Sequence, residues 1–168
     1  MEITIKKMGP DDLNEVLAVL EKWNMAPLQP TPEIPDPERS SIHIENSFVA
    51  TDGGKVVGVA SYILLSQVSA ETASLAVDPA YNGRGIGYML QMARLREMKA
   101  RGIKRVQTET DRPQTIRWYV EKFGYRIVGT NRKKHAFSLP NVDFWTVLEL
   151  DLENFKFKGT ASEAEPRR

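Results

Sequence analysis

The sequence has no cysteine, which removes disulfides, thiol nucleophiles and cysteine-ligated metals together. Histidine is scarce. His43 and His135 are the only two, and no metal-ligand spacing links them, so a structural or surface role is the default for each. A surplus of one charge sign is also missing: 23 Lys and Arg against 22 Asp and Glu leave a formal net charge of +1. Whole-molecule electrostatics therefore call for no nucleic acid or other polyanion. No apolar run approaches membrane-spanning length, and the opening MEITIKKMGPDDL has no apolar core of the signal-peptide kind. The expectation is a soluble cytoplasmic protein with no metal and no membrane partner. Its 168 residues suit one domain with a full core.

What is present reads as alternating elements. ITIKKM alternates like a strand. GPDDLNEVLAVLEKW reads as a helix, with Asp12 and Glu15 resembling a capping box and Leu13, Val16, Leu17 and Leu20 on one face. Pro27, Pro30, Pro32, Pro35 and Pro37 then forbid a regular helix. They mark a long extended loop of the kind that is often functional, with Glu33, Asp36 and Glu38 in it. SFVATDGGKVVGVASYILL reads as a hairpin about Asp52-Gly53-Gly54. ETASLAV is a further strand that places Glu71, Ala73, Leu75 and Val77 on one face. A helix from about Gly85 to Ala100 carries an apolar stripe of Ile86, Met89, Leu90 and Ala93, with Arg84, Arg94, Arg96 and Lys99 elsewhere. KRVQTET is a strand and RPQTIRWYVEKFG a helix stopped by Gly124. YRIVGT, HAFSL and FWTVLELDL complete the strand candidates. The class is α+β, or mixed α/β, with one central sheet.

The joint LAVDPAYNGRGIGYML crowds Gly83, Gly85 and Gly87 between a strand and a helix. A turn needs one or two glycines. Three, beside an arginine, suit an anion cradle: without Cβ atoms, backbone N–H groups converge on a phosphate at the positive end of a helix. Arg84 would add a bidentate donor at the rim. The dinucleotide spelling G-x-G-x-x-G fails at Tyr88 and at Leu90. The only Gly-Lys pair, Gly54-Lys55, is followed by Val56 and so makes no Walker A motif.

LAVDPAYNGRGIG instead resembles the acetyl-CoA signature of the GNAT superfamily of N-acetyltransferases, [Gln/Arg]-x-x-Gly-x-[Gly/Ala]. Its six positions fall on Asn82, Gly83, Arg84, Gly85, Ile86 and Gly87, with Asn82 departing from Gln or Arg. WYVEKFGYRIVG is similar to the family's YEKLGF helix end and following strand. The element order also matches, from the first strand to about Leu152. The resemblance implies a single domain over residues 1–152 with a polar, flexible tail over 153–168. It also implies a mixed, mostly antiparallel sheet splayed in a V and flanked by helices. Acetyl-CoA would be the co-substrate, its pantetheine meeting the backbone of Leu75, Ala76 and Val77 like an added strand. Its pyrophosphate would lie on residues 82–87.

The implied activity is transfer of the acetyl group to a primary amine, on a small molecule or a peptide. Without cysteine, direct attack in a ternary complex is the preferred route. The Val77 amide would be the oxyanion donor. Glu71 would be the base, occupying the position where some members hold a glutamate; the other reading is an ordinary carboxylate at a strand start. His135 is a weaker base candidate, and Arg132, Lys133 and Lys134 read as a solvated turn. Trp118, Tyr119 and Phe123 read as core. Many members protonate the leaving thiolate with a tyrosine four residues before the glycine that ends this helix. That count reaches Val120 here. Tyr119, about 100° away around a regular helix, could replace it only if the helix end is bulged or the alignment slips by one. A CoA-binding module without transfer activity is the alternative, a nucleotide-phosphate binder another, and a homodimer is left open.

Overall fold

Alternation builds β1 (Ile3–Lys7), and the amphipathic run builds α1 (Leu13–Glu21), which buries Val16, Val19 and Leu20. Each of those side chains is worth roughly 1.5–3 kcal/mol relative to exposure. Glu15 does not complete a cap; its carboxylate accepts from the Val56 amide at 2.8 Å. Asp12 caps instead, accepting from the Gly9 amide at 2.8 Å. The structure is a computed structural model that describes residues 1–27, 32, 42–134 and 138–157. The proline-rich segment with Glu33, Asp36 and Glu38, and His135, lie outside the described residues.

β2 (Ser47–Asp52) and β3 (Lys55–Leu64) form the expected hairpin, and β4 (Ser69–Val77) follows antiparallel. Then come α2 (Ile86–Ala100), β5 (Arg105–Thr110) and α3 (Pro113–Trp118). The chain ends with β6 (Arg126–Arg132) and β7 (Phe144–Asp151). HAFSL forms no strand over Ser138 and Leu139, its described part. The seven strands make one sheet in the order β1-β2-β3-β4-β5-β7-β6. Every neighbouring pair is antiparallel except β4 and β5. This is the mixed α+β class read from the sequence.

The parallel pair sets the shape. β4 and β5 are joined only where Ser69, Ala70 and Glu71 meet Arg105, Val106 and Gln107. Beyond that point β4 continues to Val77 and β5 to Thr110 with no ladder between them, so the sheet opens. One core, with Val16, Val19, Leu20, Val59 and Ala76, lies under α1. The opposite face packs against α2, with Ala60, Ile86 and Leu90 in one cluster and Tyr62, Leu95 and Tyr119 in another. Ordered packing runs past Leu152: Phe155 and Phe157 pack against the core and meet each other edge-to-face, with ring centroids 4.8 Å apart. The flexible tail expected from residue 153 therefore does not begin there, and residues 158–168 lie outside the described residues. Among the described residues no helix is long and apolar enough to cross a membrane.

Candidate active site

The opening between β4 and β5 is a cleft of about 1170 Å³. Its β4 wall contains a register shift: Ala60 pairs with Leu75, but Tyr62 pairs with Thr72. β4 thus carries one extra residue at Ala73–Ser74, a bulge. The extra residue reverses the facing of everything before it. Leu75 and Val77 pair with Ala60 and Gly58 on the α2 side, whereas Glu71 pairs with Ile63 on the α1 side. The expectation that Glu71 shares a face with Leu75 and Val77 is corrected: unbroken alternation does not survive the bulge.

The ladder also sorts the backbone groups. The Asp78 amide donates to the Val57 carbonyl at 2.8 Å, so Val57 and Asp78 are a hydrogen-bonded pair. Alternation along an antiparallel ladder then turns the N–H and C=O of Leu75 and Val77 away from β3, toward the gap. Ala76 turns its own toward β3, so of the three expected backbone contacts only Leu75 and Val77 face the cleft. The Val77 carbonyl is already used, accepting from the Trp23 indole N–H at 2.9 Å. The Val77 N–H and both groups of Leu75 remain.

The glycine joint closes this wall. Gly85 caps α2 with φ +77° and Gly83 has φ +78°, a left-handed backbone that a side chain would strain. A Cβ built on either would touch nothing within 4 Å, and one on Gly87 would reach only Val77 Cγ2 at 3.9 Å. Open space around bare backbone at a helix N-terminus fits a phosphate-bearing ligand. Asn82, Gly83, Gly85, Ile86 and Gly87 border the cleft. The Arg84 side chain is turned elsewhere, its guanidinium 5.1 Å from the centre of the Tyr81 ring, and Arg84 does not border the cleft. The Tyr81 hydroxyl in turn donates to Asp52 at 2.7 Å. The expected rim donor thus packs on its own turn.

The β5 wall supplies residues that sequence reading passed over. Gln107 pairs with Glu71, so Glu109, two residues on, faces the same side. The Asn131 amide donates to it at 2.5 Å. Burial, and then the Glu109 charge, raise the Glu71 carboxyl above its ordinary range. Arg112 lies 4.9 Å from the Trp23 ring centre and ties the two walls at their open end. Lys133 is no solvated residue: its ammonium, 5% exposed, pairs with Asp111, 1% exposed, at 2.6 Å. Asp111 also accepts from the Ser138 hydroxyl and the Leu139 amide. Among the described residues no group of three or more histidine, aspartate or glutamate side chains could hold a metal ion.

The helix after β5 ends in a π turn, Tyr119–Phe123, before Gly124. This is the bulged end on which the reading of Tyr119 depended. The wide turn takes up one extra residue, pointing Val120 outward at 37% exposure and Tyr119 inward at 3%. The Tyr119 hydroxyl accepts from Arg94 at 3.0 Å. Trp118, read as core, borders the cleft. Arg94, read as lying off the apolar stripe of α2, is fully buried, as is Gln91 beside it. A local signal existed for Glu109, since KRVQTET alternates and exposes its odd positions to one face. None existed for Arg94.

Residues 16–125 match the pattern of the Acetyltransferase (GNAT) family. No protein of curated function matches the sequence. Among solved structures, the ribosomal-protein-S18-alanine N-acetyltransferase of Escherichia coli superposes with a TM-score of 0.70, at 20% identity, over 93% of this chain and 100% of its own. Ard1 from Thermoplasma volcanium gives 0.70 at 22% identity, over 94% of this chain and 100% of its own. The PaiA N-acetyltransferase of Thermoplasma acidophilum, determined in complex with coenzyme A, gives 0.64 at 19% identity, over 90% and 99%. At these identities the likeness is one of fold.

Proposed function

The chain belongs to the GNAT acetyltransferase family, and from that premise we propose that it transfers the acetyl group of acetyl-CoA to a primary amine by direct attack in a ternary complex. The observation that carries this reading is the unpaired edge of β4, with free backbone groups at Leu75 and Val77 leading straight to the glycine joint. An extended amide-bearing arm ending in a pyrophosphate matches that edge in both chemistry and order.

Bound acetyl-CoA supplies an acyl group activated as a thioester. The chain does the rest. Backbone amides of residues 83–87 hold the pyrophosphate, and Leu75 orients the pantetheine arm. The Val77 N–H donates to the carbonyl oxygen as negative charge develops on it. On the opposite face of the sheet, Glu71 and Glu109 receive an amine. A lysine-like amine arrives protonated, with a pKa near ~10.4, and must lose that proton before it attacks. Burial and the Glu109 charge raise the Glu71 carboxyl above its ordinary range, which suits it to take that proton, and a positioned base contributes roughly 10²- to 10⁴-fold. Trp23, Trp145 and Arg112 border the same side and frame the acceptor, a small-molecule or peptide amine.

Calorimetry with CoA, followed by a thiol-release assay with acetyl-CoA against polyamines, amino acids and peptide N-termini, tests the proposal. Saturable CoA binding and amine-dependent thiol release are expected. CoA binding without release by any amine would select the non-catalytic CoA-binding module. Absence of CoA binding would overturn both readings.

A further inference from the structure

The α1 side of the cleft leaves charges of both signs uncompensated. Glu71 is half-buried, and its carboxylate has no hydrogen-bond or ion-pair partner among the described residues. Glu109 has one neutral partner, the Asn131 amide. Arg112, also half-buried, borders the same cleft. Among the described residues no acceptor takes a guanidinium N–H of Arg112, and no carboxylate pairs with it. Asp111, the residue before it, is already engaged by Lys133, Ser138 and Leu139. Glu109 and Arg112 are three residues apart in the chain, so their Cα atoms lie at most about 10 Å from each other. Two long side chains of opposite sign could close that distance. Here they are held apart.

Trp23 holds the arginine. Its indole N–H donates to the Val77 carbonyl at 2.9 Å, which fixes the ring at the far end of β4. The Arg112 guanidinium lies over that ring, 4.9 Å from its centre. A ring face attracts the cation without using its N–H groups, so the five donors of the fork are left for another acceptor. The carboxylates are held at the other end. Glu71 sits where β4 and β5 are still paired, and Glu109 is turned to Asn131 on β6. A second crossing lies beside Arg112: Asp111 holds Ser138, whose amide donates to the Asn24 carbonyl at 3.2 Å. Two crossings between the end of α1 and the end of β5 favour a short acceptor over a polypeptide lying across the gap.

Resting on the function proposed above, we propose that the acceptor is a free amino acid and that Arg112 determines this specificity: its guanidinium takes the substrate carboxylate, while Glu71 and Glu109 take the ammonium. A zwitterion brings each end of the cleft the charge it lacks. A polyamine would satisfy the glutamates but set a further cation against Arg112. A peptide N-terminus would offer the fork a neutral amide carbonyl, and hydrogen bonds to a charged acceptor are roughly twice as strong as neutral ones. Acetylation removes the positive charge and keeps the carboxylate, so the product loses its hold on the glutamate end.

The test measures thiol release from acetyl-CoA by the full-length protein with the common L-amino acids, their carboxamides, polyamines and short peptides. At least one amino acid should be used with kcat/KM at least ~100-fold above that of its carboxamide, because a site built for a polar group rejects the analogue that lacks it. In Arg112→Gln that preference should fall at least ~30-fold, the scale of a charged hydrogen bond. The loss should appear in KM, with kcat at saturating amino acid within about threefold, as expected for a binding contact. Arg112→Lys keeps the charge without the fork and should recover part of the preference; if Arg112→Gln does not fold, by thermal melting, Arg112→Lys carries the comparison. Calorimetry should show CoA affinity unchanged in the variants. An equal loss for the amino acid and its carboxamide, or a loss of CoA affinity, would overturn the role of Arg112. Transfer to polyamines or peptides ahead of every amino acid would overturn the substrate class and leave the acetyltransferase reading standing. No transfer to any amine would overturn both.

Discussion

Along the β4 wall of the cleft, the functional groups sit in one continuous stretch, from Glu71 through Leu75 and Val77 to Gly87. Along the β5 wall they come from separate segments: Glu109 to Arg112, Trp118, Asn131, Ser138 and Trp145. The first wall works through bare backbone, and its spelling is local. The second works through side chains gathered by strand pairing, and its spelling is scattered. A wall made of backbone should be sensitive to added atoms, and a wall made of side chains to removed ones.

The largest expected effect comes from adding atoms to the β4 wall. Gly87 lies inside α2 with an ordinary backbone, and only Val77 is near its missing Cβ. Gly87→Val should leave melting within a few degrees, since valine is no worse than glycine in a helix, while CoA affinity falls at least ~100-fold, about 2.7 kcal/mol. Near-normal affinity by calorimetry in the folded variant would mean that the phosphate is held elsewhere. Gly85→Val is the less clean variant, because positive φ adds strain of roughly 1–2 kcal/mol.

Next are the two carboxylates, one from each wall. Glu71→Gln should lower kcat by at least ~30-fold at neutral pH, with recovery at high pH where free amine is abundant. Glu109→Gln removes the like charge that helps to raise Glu71, so the acid limb of the kcat/KM profile should move to lower pH. An acid limb that stays in place in Glu109→Gln, or moves up, would break the pairing. The linkage to stability has a definite sign. A carboxyl raised by folding binds its proton more tightly in the native state, so its ionisation favours unfolding above the ordinary glutamate value near ~4.3. Glu71→Gln should therefore raise the melting temperature at pH 7, and that gain should fade below about pH 4.

The smallest effect is expected where the β5 wall carries one residue more than it needs. Deleting Val120 leaves WYEKFG, with tyrosine four residues before glycine, the spacing of the family pattern. The π turn should revert to a regular helix with Tyr119 still inward, and kcat should stay within about tenfold of wild type. A loss of a hundredfold or more would show that the wide turn itself shapes the site. Val120→Tyr, at an exposed position, should change stability by no more than about 0.5 kcal/mol and leave turnover as it was.

The difference between the walls also explains what could be read from the sequence. The hairpin at Gly53-Gly54, α2 and its glycine cap follow from short-range rules, and all were legible. The bulge at Ala73–Ser74 was not, because nothing in the letters ETASLAV marks a break in alternation; only the pairing with β3 shows that the facing reverses. Lys133 read as solvated because its partner Asp111 is 22 positions away. The sequence places Arg94 only as lying off the apolar stripe, because α2 packs behind a parted sheet and buries more of its circumference than such a stripe predicts. The π turn follows from one extra letter, whose meaning depends on which residue the core requires to point inward.

The bulge in β4 has a consequence for traffic. One additional residue makes the two ends of a single strand present opposite sides of the sheet. On the function proposed here, the CoA arm approaches along the α2 side and the amine along the α1 side, meeting only at the gap. Neither reactant has to pass the other, and neither product has to wait for the other to leave: CoA departs past the glycine joint, the acetylated amine past Trp23 and Arg112. Order of binding in such a protein is set by whether one occupant shapes the other's site, and not by a shared doorway.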